Sequence, residues 1–173
     1  MVKRTKWVER KFDFNFPIGL FPCIVERVRG TPARIQELVQ NVPENILTAR
    51  VNGKWSVQEH IGHLLDLEEL HEGRLDDYLS GAKVLRPADI TNKKTTEANH
   101  NAKSIRSILN DFRIARKRFV ERLEQMDEET LARSALHPRL QQAMRLVDFA
   151  FFVAEHDDHH LASMNELLNV LRT

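Results

Sequence analysis

The stretch AFFVAEHDDHHLASMNELL, residues 150–168, decides how this chain is read. Leu146, Phe149 and Val153 precede the histidines at helical spacing, and Met164, Leu167 and Leu171 follow them. Filling that series at steps of three and four puts His156 and His160 on the same stripe. Two imidazoles four residues apart project from one face of a helix, one turn from each other. Buried among apolar side chains, each needs a partner for its polar atoms. A divalent metal ion held between them supplies one, and the spacing is half the logic of helical zinc motifs. Two ligands do not make a site. A third must come from elsewhere, and His60, His63, His71, His100 and His137 are available.

Working outward, a second helix carries a histidine cluster. In KWSVQEH, Ser56 is an N-cap with Glu59 three residues on, a capping box. Val57, Ile61, Leu64, Leu67, Leu75 and Tyr78 form one broad face of a helix ending near Ser80-Gly81. His60 and His71 lie nearer the centre of that face, and His63 lies toward its edge. Spacing alone therefore leaves the third ligand open. Ile105, Ile108, Phe112, Ala115, Phe119 and Leu123 mark a third long helix. A shorter first helix opens at Thr31-Pro32, read as an N-cap followed by proline, and stops at Pro43. Residues 1–30 read as an irregular N-terminal segment. Residues 87–104 read as a long polar connection, and MDEETLARSALHPRL (126–140) as a second connection with one helical turn near Glu128–Ala132.

The chain has 173 residues, 42% hydrophobic and 29% charged, with net charge +1, so it reads as one domain spanning 1–173 with a full core. That balance gives no broad basic field for nucleic acid. The basic run RIARKRFVER (113–122) reads as a solvated helix face. No apolar run is long enough for a membrane span, and no apolar stretch follows the basic start as a secretory signal would require. Cys23 is the single cysteine, which excludes an internal disulfide and fits a reducing cytoplasm. Four helical segments point to an all-α four-helix bundle.

Together, GKWSVQEHIGHLLDLE and HPRLQQAMRLVDFAFFVAEHDDHHLASMNELL resemble the DinB/YfiT-like superfamily. Thr31, Pro32, Ile35 and Leu38 echo the opening of its first helix, so the likeness runs over about residues 28–171. The resemblance implies a bundle with up-down-down-up order and three metal ligands, matching His63, His156 and His160. It also implies a low-molecular-weight thiol cosubstrate, activated for transfer to an electrophilic small molecule. A hydrolase using metal-bound water, and a non-catalytic metal-binding bundle, stand as alternatives. Homodimers are common among such bundles, so pairing is expected here. Three imidazoles suit Zn or Ni, and also Fe or Co, one ion per chain. His159, His60 and His137 are candidates for supporting positions around the ligands. Glu155, Asp157 and Asp158 are read as facing outward, and Trp55 as plugging the base of the second helix.

Overall fold

The computed structural model describes residues 2–172. Among the described residues there are seven α-helices: α1 (Phe21–Val39), α2 (Glu44–Leu47), α3 (Val57–Leu79), α4 (Lys93–Glu97), α5 (Ile105–Glu124), α6 (Glu128–Ala132) and α7 (Leu146–Leu171). Strands β1 (Ser134–His137) and β2 (Gln142–Arg145) form an antiparallel hairpin before α7. The four long helices make the bundle. α1 and α3 each pack on both α5 and α7, so each pair lies on a diagonal.

The core shows the direction of each helix. One apolar cluster joins Ile35 and Val39 of α1, Ile61 and Leu64 of α3, Ile108 and Phe112 of α5, and Met164 and Leu168 of α7. The other joins the opposite ends: Ile24 and Val28, Leu75 and Tyr78, Phe119 and Leu123, and Phe149 and Val153. The C-terminal halves of α1 and α7 thus meet the N-terminal halves of α3 and α5. The order is up-down-down-up. Two consecutive parallel helices, α3 and α5, need a connection that travels the length of the bundle, which accounts for the long segment between them. Among the described residues, no helix is long and apolar enough to cross a membrane.

The start of the first helix differs from its sequence reading. α1 begins at Phe21, with proline in its first turn, and runs through Thr31 and Pro32. Proline inside a helix removes one backbone donor and usually breaks the ladder. Here the carbonyl that loses its partner, that of Val28, accepts instead from Nη1 of Arg116 at 3.1 Å. Thr31 does not cap; its hydroxyl donates to Asp157 Oδ2 at 2.7 Å. The segment before α1 is also more ordered than expected. Trp7, Phe12, Phe14 and Phe16 lie on the apolar cluster, so these residues cover the bundle.

The Ser56 capping box is present, with the Ser56 hydroxyl accepting from the Glu59 amide at 3.1 Å. The second connection contains the expected turn, α6, but also the hairpin. Leu136 exchanges backbone hydrogen bonds with Lys83 and Leu85, which ties the hairpin to the end of α3.

Between the two apolar clusters runs a buried polar layer. Arg116 on α5, 1% exposed, donates to Glu68 on α3 at 2.8 Å and to Asp157 on α7. Asp157 is therefore fully buried, not outward-facing as its neighbours are. Burial pushes the Glu68 carboxyl up, and Arg116 and His71 outweigh it, leaving it at about 2. One guanidinium thus fixes the rotation of α3 and α7 at the level where the histidines sit.

Candidate metal centre

His63 on α3 and His156 and His160 on α7 converge. One ring nitrogen from each lies within 4.8 Å of the others. The Nε2 atoms of His156 and His160 are 3.2 Å apart. On a tetrahedral zinc ion with bonds of about 2.0–2.1 Å, neighbouring nitrogens stand about 3.4 Å apart, so this pair has the spacing an ion requires. His63 and His160 are nearly inaccessible, at 5% and 6% exposure.

Each ring is held by a different device. His63 Nδ1 meets the hydroxyl of Thr95 at 3.1 Å, which leaves its Nε2 for the cluster. Thr95 belongs to α4 in the long connection. His160 Nδ1 meets Nδ1 of His60 at 2.8 Å, leaving its Nε2 toward His156. The ring of Trp55 lies 4.8 Å from that of His63 and 6.4 Å from that of His160. Trp55 thus packs on the imidazoles themselves, a correction to its sequence reading. Trp7 meets His156 edge-on at 4.8 Å from the other side. His156 Nδ1 is buried with no hydrogen-bond partner.

The electrostatics keep these rings neutral. Burial, with repulsion from His60 next, pulls His63 down to about 4. Burial and then His159 bring His60 to about 4. His156 and His160 are held well below the ordinary imidazole value, first by burial and then by the neighbouring imidazoles. Neutral imidazoles offer lone pairs, the form a metal binds. The trio contains no carboxylate, so its chemistry fits borderline transition-metal ions over Mg²⁺ or Ca²⁺.

The remaining candidates take other places. His60 supports His160 through the bond described above. His159 points away and is met by Arg4 at 2.8 Å. His137, on β1, faces Arg74 at 3.3 Å. His71 pairs with Glu68 and His100 with Asp66. Asp158 and Glu155 lie on the outer side, where Arg27 bridges them, as expected. Sequence reasoning passed over Thr95 and Arg74, and it read Arg116 as part of the solvated face 113–122, whereas Arg116 is buried and held by two carboxylates. Thr95 sits in an aperiodic stretch with no signal, while the two arginines fall on faces that are otherwise apolar.

The cluster opens on a cavity of about 350 Å³ that includes His156 in its lining, along with Trp7, Phe152, Arg74, His137 and Arg139. The walls are largely apolar. Among the described residues lining it there is no carboxylate.

The comparisons with known proteins agree with this architecture. The sequence profile of the DinB superfamily matches residues 27–164. No curated protein matches the sequence. Among solved structures, the fold is similar to that of YfiT from Bacillus subtilis, described as a probable metal-dependent hydrolase with an unusual four-helix bundle topology. That likeness has a TM-score of 0.79 at 20% identity and covers 92% of this chain and 91% of that one. It is also similar to the mycothiol-dependent maleylpyruvate isomerase, with a TM-score of 0.68 at 9% identity over 87% of this chain and 61% of the other. At such identities the structures speak to fold alone, whereas the profile spans most of the sequence, His63, His156 and His160 included: the chain belongs to the DinB superfamily.

Proposed function

We propose that this protein is a divalent-metal-dependent enzyme in which His63, His156 and His160 hold one ion and a low-molecular-weight thiol is activated for transfer to an electrophilic small molecule. The observation that carries this reading is the juxtaposition of a three-imidazole cluster with a cavity, His156 belonging to both. Zn or Ni suits the donor set best, with Fe or Co also compatible. Such an ion, held by His63, His156 and His160, would supply a Lewis acid that favours the deprotonated form of a thiol or a water near neutral pH.

The chain's own residues prepare the site. Thr95 and His60 fix the ring orientation of His63 and His160, the role that outer hydrogen-bond partners play around metal ligands. Trp7 and Phe152 wall the cavity and limit water. The carboxylates near the ligands are already engaged: Asp157 and Glu68 by Arg116, Asp66 by His100, and Glu155 and Asp158 by Arg27. Oε2 of Glu68 keeps no hydrogen-bond partner, yet none of these carboxylates lines the cavity, where a general base would have to act. Helical zinc hydrolases place a glutamate beside the ligands for that task. A thiol, once deprotonated, is itself the nucleophile and needs no such base.

The hydrolase reading is favoured by the fold likeness to YfiT, as the thiol reading is by the likeness to the mycothiol-dependent isomerase. Cobalt-substituted protein separates the two. A thiol that reaches the ion adds a sulfur-to-metal charge-transfer band. Titration with glutathione, bacillithiol, mycothiol and coenzyme A is expected to give that band with at least one of them. Turnover of an ester or amide panel with no thiol perturbing the spectrum would replace thiol transfer with hydrolysis. Pairing into a homodimer is also proposed, and one species of about 20 kDa in sedimentation at tens of micromolar would reject it.

A further inference from the structure

The two buried arginines of the bundle are treated very differently. Arg116 meets two carboxylates. Arg74, on α3 and 3% exposed, meets none within ion-pair distance among the described residues. Its Nε donates to the carbonyl of Arg86 at 3.1 Å. Its Nη1 lies 3.3 Å from His137 Nε2. Its Nη2 is buried with no hydrogen-bond partner. Burial draws the guanidinium down to about 10, so it still carries its charge at neutral pH. A buried charge without a counter-ion is strongly unfavourable unless something else supplies the compensation.

The surroundings carry too many donors. The amide of Leu140 donates to His137 Nδ1 at 3.2 Å, while the Arg74 guanidinium faces Nε2 of the same ring. A neutral imidazole has one nitrogen lone pair for hydrogen bonding and one N–H. It cannot accept from both, so one donor always confronts another. Arg139 adds a second guanidinium to the same cavity, 5.7 Å from the ring centroids of Trp7 and Phe152, with no carboxylate partner among the described residues. An oxyanion beside Arg74 and His137 would satisfy the orphaned N–H groups and the unmatched charge together.

We infer that the cavity between α3, β1 and α7 holds the carboxylate of a small apolar acid, gripped by Arg74 with His137 and Arg139 beside it. Leu67, Leu70, Ile90 and Val153 supply the walls for the apolar body, and His156 places the histidine cluster in the same space. The volume, about 350 Å³, is at the small end of the range for ligand pockets, about 300–1,000 Å³. A carboxylate fits better than a phosphate, whose larger charge asks for more donors than one buried fork provides. As a substrate site this rests on the functional reading above; as an anion site it stands independently of the metal. The carboxylate could belong to the electrophile or to the thiol, and the test has an arm for each.

The test is calorimetric titration of metal-loaded and chelator-stripped protein with phenylacetate, 4-phenylbutyrate and octanoate, with the matching amides and with inorganic phosphate. At least one carboxylate is expected to bind about tenfold or more tightly than its amide and than phosphate, with the metal or without it. Arg74→Met should weaken it at least about tenfold, as should Arg74→Lys, which keeps the charge and loses the fork. Metal content, measured in the same samples, should stay at the wild-type level in both variants. Competition by glutathione would assign the carboxylate to the thiol, and its absence to the electrophile; either result requires the Arg74 dependence. Equal affinity for acid and amide, wild-type binding in a folded Arg74 variant, or binding seen only with metal present would overturn the inference. Loss of metal from the histidine variants bears on the metal reading alone.

Discussion

His60 and His160 face each other across the α3–α7 interface, Nδ1 to Nδ1 at 2.8 Å. One nitrogen must donate and the other accept. With His160 Nε2 turned toward His156, the proton of His160 belongs on Nδ1, and His60 accepts it. His60 is then a positioning residue, and His63 completes the trio. Replacing His60 with phenylalanine keeps the ring and removes the acceptor. The expected result is a metal affinity lower by about 10–100-fold, read by competition with a chromogenic chelator, with uptake restored at saturating metal. Complete loss of uptake at saturation would make His60 a ligand.

Acid should weaken the metal-free protein through these same rings. An unperturbed histidine titrates near 6.5. His60 and His63 sit at about 4, held down by burial, and burial holds His156 and His160 well below the ordinary value too. The unfolded chain therefore takes up protons below about pH 6.5 that the folded chain refuses, and stability falls as pH drops from there toward about 4. Above about 7.5, a unit past the ordinary imidazole value, the four rings are neutral in both states and contribute no slope. Chemical denaturation at several pH values, with chelator present, should show this window. A flat profile between pH 6.5 and 4 would contradict the neutral, desolvated cluster. With metal bound, the midpoint should rise at neutral pH and the gain should shrink on acidification, because protons compete for the same lone pairs.

Arg116 should matter more than any surface charge. Arg116→Ala leaves Glu68 and Asp157 buried without their cation and frees the carbonyl of Val28 opposite Pro32. Removing one member of a buried ion pair costs about 3–5 kcal/mol. A loss of unfolding free energy of that size is expected from urea titration, whereas Lys117→Ala, an exposed pair with Glu121, should cost less than about 1 kcal/mol. Similar unfolding free energies for the two variants would remove Arg116 from its structural role.

Gly62 precedes His63 in the middle of a helix, where alanine is ordinarily favoured by about 1 kcal/mol. Here a Cβ would meet the His100 ring at 2.2 Å. That ring is buried and bonded to Asp66 at 2.8 Å, so it has little freedom to retreat. Gly62→Ala should destabilise by about 1–3 kcal/mol in thermal unfolding, the usual cost of overpacking. An increase in stability would mean that His100 moves freely.

The long helices were legible because their apolar residues keep step with 3.6 residues per turn and because Ser56 and Glu59 announce a start. His156 and His160 were legible as a pair for the same reason. The start of α1 was not, because the donor that repairs the break at Pro32 is Arg116, far away in sequence. Asp157 looked outward-facing for the same lack: its burial depends on Arg116 and Thr31 from two other helices. The hairpin escaped notice because SALH and QAMR carry neither β-branched residues nor a recognisable two-residue turn. His63 and His60 could not be separated by angle alone. In the fold, Thr95 and His160 distinguish them, and both contacts are tertiary.

The most direct measurement is elemental analysis of purified wild-type protein beside His63→Ala, His156→Ala, His160→Ala and His60→Ala, all dialysed against the same metal-buffered solution. About one divalent ion per wild-type chain is expected, with large loss in the first three variants and substantial retention in His60→Ala at saturating metal. Wild-type metal content in both His156→Ala and His160→Ala, or retention in His63→Ala with loss in His60→Ala, would contradict the site described here.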